Sequence, residues 1–148
     1  MGADGRDRHI SERSDVKPRL RVVAAALFDS DDRVLIAERP AGKHMAGWWE
    51  FPGGKVANGE SDEHALVREL REELGIDARP EEHLMTLSHE YPDRHVDLVL
   101  WRAKITRGEP HGLDGQRLKW VECRLLGAEK ILEADRPFIE KLQLVSPL

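Results

Sequence analysis

Apolar positions along the chain fall into short runs separated by turn-forming clusters, with one segment of helical spacing among them. Leu20 to Asp29 is a Val/Ala/Leu/Phe run ending in Asp29-Ser30-Asp31-Asp32, and Arg33 to Glu38 resumes the pattern, which predicts two strands about a turn. Pro40 to Gly47 reads as a loop, Trp48 to Phe51 as a short strand, and Pro52-Gly53-Gly54 as a permissive bend leading to Asn58-Gly59. From Ser61 as N-cap to Leu74 the leucines at 66, 70 and 74 recur every fourth residue, and Gly75 supplies a stop. Leu84 to Glu90 and His95 to Ile105 read as strands around the turn Tyr91-Pro92-Asp93-Arg94, the second alternating at Val96, Leu98, Leu100 and Ala103. A Gly/Pro-containing loop from Arg107 to Gln116 precedes a strand at Leu118 to Glu122, and Asp135 is placed to cap a last helix running to about Leu144. Strands mixed with two or three helices in so short a chain predict an α/β or α+β sandwich.

Length and composition sharpen this picture. The 148 residues match one domain. Residues 1–19 carry nine charged side chains of mixed sign and few apolar ones, so they are expected to be a disordered tail before a domain spanning 20–148. The one cysteine, Cys123, cannot form an internal bridge, and no Cys/His pairing has zinc-site spacing, which argues for a reducing, cytoplasmic setting. The longest apolar stretch, Val22 to Phe28, is far short of the ~20 residues of a membrane helix. The net charge of −5 disfavours a stable nucleic-acid partner. Most of that charge is local: Glu60 to Glu73 holds six acids and two bases, a balance of −4.

At 100° per residue, Glu69, Glu72 and Glu73 fall within an arc of roughly 100° on one helix face. Like charges at this spacing repel by a few tenths of a kcal/mol each, and Arg68 is spaced to relieve only Glu72. Two readings account for such a stripe. One is a solvated helix face; the other is a divalent cation held by oxygen ligands, with Mg²⁺ favoured because it combines carboxylates with substrate phosphates. Gly53-Gly54 permits close backbone approach ahead of this helix, Lys55 adds a cation and Glu60 a fourth carboxylate.

Gly54, Glu60, Arg68, Glu69, Leu70, Glu72, Glu73, Gly75 and Ile76 together fit G-x5-E-x7-R-E-U-x-E-E-x-G-U, with U a bulky aliphatic residue, at every position. This is the Nudix box, and the chain resembles the Nudix hydrolases. Ala37-Glu38-Arg39-Pro40, Lys43-His44-Met45-Ala46, Glu50-Phe51-Pro52-Gly53-Gly54-Lys55, Tyr91-Pro92-Asp93-Arg94-His95 and Gly108-Glu109-Pro110 extend the likeness to the MutT-type nucleoside triphosphate pyrophosphohydrolases, from about Leu20 to Leu144.

The resemblance implies an α/β/α sandwich with a mixed sheet, and Mg²⁺-dependent hydrolysis of a nucleoside triphosphate at the β-phosphorus to the monophosphate and pyrophosphate, with Mn²⁺ as a substitute ion. It implies metal ligation by Glu69, Glu72, Glu73, the carbonyl of Gly54 and the loop acid Asp114. Arg68 would orient a glutamate, and the general base would be Glu69, with Glu72 or Asp114 as rivals. Arg39, His44 and Lys55 are then expected along the phosphates, with Phe51, Asp93 and Arg94 about the base. The implied substrate is an oxidised purine triphosphate such as 8-oxo-dGTP, handled by a monomer or homodimer.

One position departs from the oxidised-guanine pattern. Where an asparagine is expected to read the base edge, this chain has Asp135. An ionised carboxylate only accepts hydrogen bonds, whereas a protonated one also donates. An acceptor-only Asp135 suits the exocyclic amine of cytosine, which keeps a CTP or modified-dCTP pyrophosphohydrolase open as the alternative; a plain helix N-cap is the structural reading. RNA 5′-end hydrolysis and a silent nucleotide-binding domain are weaker options. His89 and His95 are expected to be packed or solvated, and Trp48, Trp49, Trp101 and Trp120 mostly to fill the core.

Overall fold

A computed structural model describes residues 17–145. Seven strands and two α-helices are connected in the order β1 (Arg19–Leu27), β2 (Arg33–Glu38), β3 (Trp49–Glu50), β4 (Gly53–Lys55), α1 (Asp62–Leu74), β5 (Asp77–Glu90), β6 (His95–Arg107), β7 (Leu118–Glu122) and α2 (Arg136–Val145), with 3-10 turns at Cys123–Ala128 and Glu133–Asp135 between β7 and α2. The strands form a four-stranded sheet, β4-β1-β6-β5, and a three-stranded sheet, β3-β2-β7. The first is mixed, with β1 parallel to β6 and antiparallel to β4.

Alternation along buried strands divides the apolar residues between two cores. Val23, Ala25 and Leu27 of β1, Leu35 of β2 and Val99 and Ala103 of β6 face Leu66, Leu70 and Leu74 of α1. Ala24 and Ala26, Val34 and Ile36, and Leu98 and Leu100 face the other way, onto Phe138, Ile139 and Leu142 of α2. Helix, sheets and helix therefore stack as the expected α/β/α sandwich. Leu66, Leu70 and Leu74 are fully buried, so truncating any one to alanine costs about 2–5 kcal/mol.

The helix that carries the acids is delimited as its sequence predicts. The Ser61 hydroxyl accepts the His64 N–H at 3.1 Å, and Gly75 closes the helix at φ 69°, its N–H reaching the Arg71 carbonyl at 3.0 Å. Arg21 of β1 grips Asp62 with two bonds of 2.7 and 2.8 Å, tying the start of α1 to the sheet.

Three features differ from the sequence reading. The Gly53-Gly54 bend continues as strand β4, which lies so close to β1 that a Cβ on Gly53 would overlap the Val23 carbonyl. β5 begins at Asp77, seven residues before Leu84, because register shifts around Pro80 and His83 break the two-residue period that marks a strand. Residues 1–16 of the expected tail lie outside the described residues, but Lys17, Pro18 and Arg19 belong to the fold. Pro18 accepts the His95 N–H at 2.8 Å, and Lys17 pairs with Glu90. Cys123 is buried in the core, as expected of a small apolar side chain. Among the described residues no helix is long and apolar enough to cross a membrane.

Candidate active site

Arg68, on the exposed side of α1, binds more partners than its spacing from Glu72 suggests. Its Nε and Nη2 hold the two oxygens of Glu60 at 2.8 Å each, Nη2 also reaches the Lys55 carbonyl at 3.0 Å, and Nη1 donates to Glu69 at 3.0 Å and Glu72 at 3.3 Å. The loop before α1, the end of β4 and two of the helix glutamates are thus fixed by one planar cation. Only a guanidinium has the donors for this. Its bonds, with the Ala57 N–H, lower the Glu60 carboxyl to about 2, and Glu60 in turn raises the pKa of Arg68.

β4 runs beneath α1, so the Glu69 carboxylate lies over the Cα of Gly54, where a Cβ would overlap it. Glu73, one turn on, is half-buried. Its carboxyl is raised to about 8, first by burial, then by the charges of Glu69 and Glu50, with a hydrogen bond to Glu69 and the charge of Asp114 adding to it. The loop bearing Asp114 is pinned to the end of α1: the His111 N–H caps the Leu74 carbonyl at 3.0 Å, and the Leu113 N–H and the Gln116 side-chain amide reach the Glu73 carbonyl at 3.1 and 3.4 Å. The sequence therefore brings Asp114 to the glutamate helix through a helix C-cap.

Glu50 was not singled out by sequence reasoning. Its carboxylate pairs with Arg39 at 3.1 Å, and burial raises its pKa despite that cation. The signal was an acid between Trp49 and Phe51 in an otherwise apolar strand. Arg39, Glu50 and Glu73 form a partition with a cavity on each side. One cavity continues past Gly54 and Lys55 to Phe51, Leu98 and Asp135; the other runs to Lys43, Asp114 and Gln116.

At the inner end, Asp135 is buried and accepts the Phe51 backbone N–H at 3.1 Å. Burial raises its carboxyl to about 7; the Phe51 N–H and the Arg39 charge oppose the shift, and the Glu50 charge adds to it. This replaces the helix-cap reading, since the carboxyl is spent on β3–β4 backbone across the core. The Phe51 ring lines the same cavity while packing at 6.1 Å from Phe138.

Not every expected residue arrives. His44 lines neither cavity: its side chain is exposed, and it contributes its carbonyl to Arg39 Nε at 2.6 Å. Asp93 and Arg94 stand exposed at the tip of the β5–β6 hairpin, outside both cavities, with Arg94 over the Tyr91 ring at 5.4 Å. Glu72 is mostly exposed and turned to Arg68. His95 sits between Glu90 and Asp97 and lines neither cavity.

The residues present suit a hard divalent cation in their chemistry. Glu69, Glu72, Glu73 and Asp114 offer carboxylate oxygens, Glu69 lies against the Cα of Gly54, and the Glu73 carboxyl is raised first by burial and then by the like charges of Glu69 and Glu50. Among the described residues no three His, Cys, Asp or Glu side chains stand together as a closed ligand set. Arg68 Nη1 bridges Glu69 and Glu72, and an ion bound here would complete its shell with phosphate oxygens.

Three relatives share this framework. The chain is 38% identical over 125 residues to the 8-oxo-dGTP diphosphatase of Escherichia coli K12, covering 84% of this chain and 97% of that protein. It is 39% identical over 118 residues to the CTP pyrophosphohydrolase of the same strain, covering 80% and 87%. The solution structure of the E. coli ORF135 protein superposes with a TM-score of 0.77 at 35% identity, covering 87% of this chain and 91% of that one. With the model of the NUDIX domain matching residues 23–141, and the Arg68-centred glutamate helix seated on Gly54 as its signature requires, the chain belongs to the Nudix hydrolase family.

Proposed function

We propose that this Nudix hydrolase cleaves a nucleoside triphosphate to the monophosphate and pyrophosphate in a Mg²⁺-dependent reaction, with 8-oxo-dGTP or a related oxidised purine nucleotide as substrate. The observation that carries the reading is the partition of Arg39, Glu50 and Glu73, which joins a polar cavity beside the glutamate helix to a cavity ending in a buried Asp135. A nucleotide laid across it has its phosphates among the carboxylates and Arg39, and its base against Phe51 and Asp135.

Water attacks the β-phosphorus; the bond from that phosphorus to the α,β-bridging oxygen breaks, and the nucleoside monophosphate leaves with the oxygen while pyrophosphate keeps the water oxygen. Glu69 accepts the proton released, with Arg68 orienting its carboxylate through Nη1. Arg39 and Lys55 bind phosphate. Mg²⁺, or Mn²⁺ in its place, held by Glu69, Glu72, Glu73, Asp114 and the Gly54 carbonyl, supplies charge neutralisation for the triphosphate and polarisation for the water.

Asp135 supports the oxidised base. With its pKa near 7 a protonated carboxyl presents a donor beside an acceptor, the complement of O6 and the N7 proton of 8-oxoguanine. Unmodified guanine shows two acceptors on that edge, so one partner is left unmatched in a buried site, a penalty that commonly separates substrates strongly. Cytosine is the second reading, favoured by the same residue, because its N4 amine and N3 also form a donor–acceptor pair. The relative named CTP pyrophosphohydrolase supports it.

Pyrophosphate release measured over 8-oxo-dGTP, dGTP, CTP and modified dCTP tests the assignment. A kcat/KM for 8-oxo-dGTP at least about tenfold above dGTP is expected. Parity between the two removes the oxidised-guanine reading, and dominance of the cytosine nucleotides replaces it with the second. A cytoplasmic monomer or homodimer acting on free nucleotides completes the reading, the acidic balance favouring small metal-bearing anions over nucleic acid.

A further inference from the structure

The cavity beyond the partition contains a cation whose role is open. Lys43 lines it opposite Glu73, Asp114 and Gln116, whereas the neighbouring His44 does not. The other basic residue lining this cavity, Arg39, is already paired with Glu50 at 3.1 Å. Among the described residues no carboxylate lies within ion-pair distance of Lys43, although Glu38, Glu50, Glu73 and Asp114 share its cavity, Glu50 being paired with Arg39 and Glu38 with Arg117.

Its loop is built rather than slack. The Gly47 N–H and Arg39 carbonyl close its ends at 3.1 Å, the Arg39 N–H reaches the Trp48 carbonyl at 2.8 Å, and the Lys43 N–H and carbonyl bond Pro40 and Ala46 at 3.2 Å each. Arg39 Nε holds the His44 carbonyl, which turns the His44 side chain outward and leaves Lys43 on the cavity side. The helix-capping loop with Asp114 forms the facing wall. An ammonium here has polar space before it and makes no ion pair with the carboxylates that share the cavity.

Resting on the proposed reaction, we infer that Lys43 binds the phosphates distal to the scissile bond and sets the preference for triphosphate over diphosphate substrates. With the base at Asp135 and the reacting phosphates at the Arg39, Glu50 and Glu73 partition, the chain of phosphates continues into the cavity that Lys43 lines. The γ-phosphate there meets a point charge suited to an anion of several orientations, whereas the planar Arg39, paired with Glu50, faces the reacting phosphates. A diphosphate ends short of Lys43. Pyrophosphate, the product, keeps the same contact after cleavage.

The test compares wild type with Lys43→Ala and Lys43→Arg, using the triphosphate that wild type turns over best and the matching diphosphate as substrate or competitive inhibitor, with inorganic pyrophosphate as product inhibitor. Lys43→Ala is expected to lower kcat/KM for the triphosphate about tenfold or more, chiefly through KM, and to weaken pyrophosphate inhibition similarly. The constant for the diphosphate should move less than about twofold, and Lys43→Arg should recover most of the loss. Equal losses on tri- and diphosphate, or none on either, overturn the inference. Lys43 is exposed, so unchanged thermal melting of the variants serves as the folding control. Wild-type protein that hydrolyses no nucleotide defeats the proposed function itself, a result separate from any difference between variants.

Discussion

The carboxylate of Glu69 occupies the place above Gly54 where any other residue would put its Cβ. Strand β4 and helix α1 therefore approach each other through a glycine because the Glu69 carboxylate passes over it. Gly54→Ala is expected to displace Glu69 and cut kcat by about 100-fold or more, with secondary structure by circular dichroism unchanged. Activity within a few-fold of wild type would show that Glu69 has room to work elsewhere.

Glu69→Gln keeps size and the contact with Gly54 but removes charge and basicity. Turnover should fall by about two to four orders of magnitude, consistent with loss of a general base or metal-binding anion, while thermal melting is preserved or improved because one like charge leaves the Glu73 cluster. Near-normal turnover would remove Glu69 from both roles.

Arg68 joins Glu60, Glu69, Glu72 and the Lys55 carbonyl. Lysine carries the charge but only one donor centre, so Arg68→Lys should lose nearly as much activity as Arg68→Ala, about tenfold or more in kcat. Full rescue by lysine would mean that charge alone, and not the geometry of the guanidinium, matters at this position.

Mg²⁺ is expected to stabilise the protein by relieving the repulsion around Glu73. Titration should raise Tm by several degrees, equivalent to about 2.7 kcal/mol at one hundred times Kd, and chelation should abolish activity. In Glu73→Gln the metal-free protein should melt higher than wild type and the Mg²⁺ increment should shrink. An unchanged increment would place the ion away from Glu73.

Asp135 gives a pH dependence of definite sign. Its carboxyl sits near 7 when folded against an ordinary value of 3.8, so its contribution to stability is complete below about pH 4 and is lost as pH rises through 7. Asp135→Asn does not ionise; its Tm relative to wild type should therefore increase from pH 5 to pH 8. A pH-independent difference would mean that the group does not titrate in this range. Its activity toward 8-oxo-dGTP should lose the alkaline decline attributable to Asp135 ionisation, since the amide donates and accepts at every pH.

How far the sequence reveals the protein depends on whether the interaction is local. α1, its Ser61 cap and its Gly75 stop are encoded within fifteen neighbouring residues, and β2 and β7 match their sequence boundaries because their apolar runs are short and bounded by turns. The Nudix box is legible for the same reason: its residues lie on one helix face and the loop leading to it. β4 was not legible, since Gly53, Gly54 and Lys55 become a strand only by pairing with Ala24, Val23 and Val22. Nor was the early half of β5, whose bulges conceal the alternation.

The sequence by itself determined the acid helix, its glycine partner and the family, because helix periodicity fixes which side chains share a face without reference to the rest of the chain. Only the tertiary structure decided which groups stand opposite that face. It brought Glu50 and Arg39 from the three-stranded sheet to Glu73, buried Asp135 against the Phe51 amide 84 residues away, and set Lys43 rather than His44 in the lining of the cavity beside Asp114. Those choices follow from strand pairing and desolvation, which act between residues distant in sequence and leave no period to read.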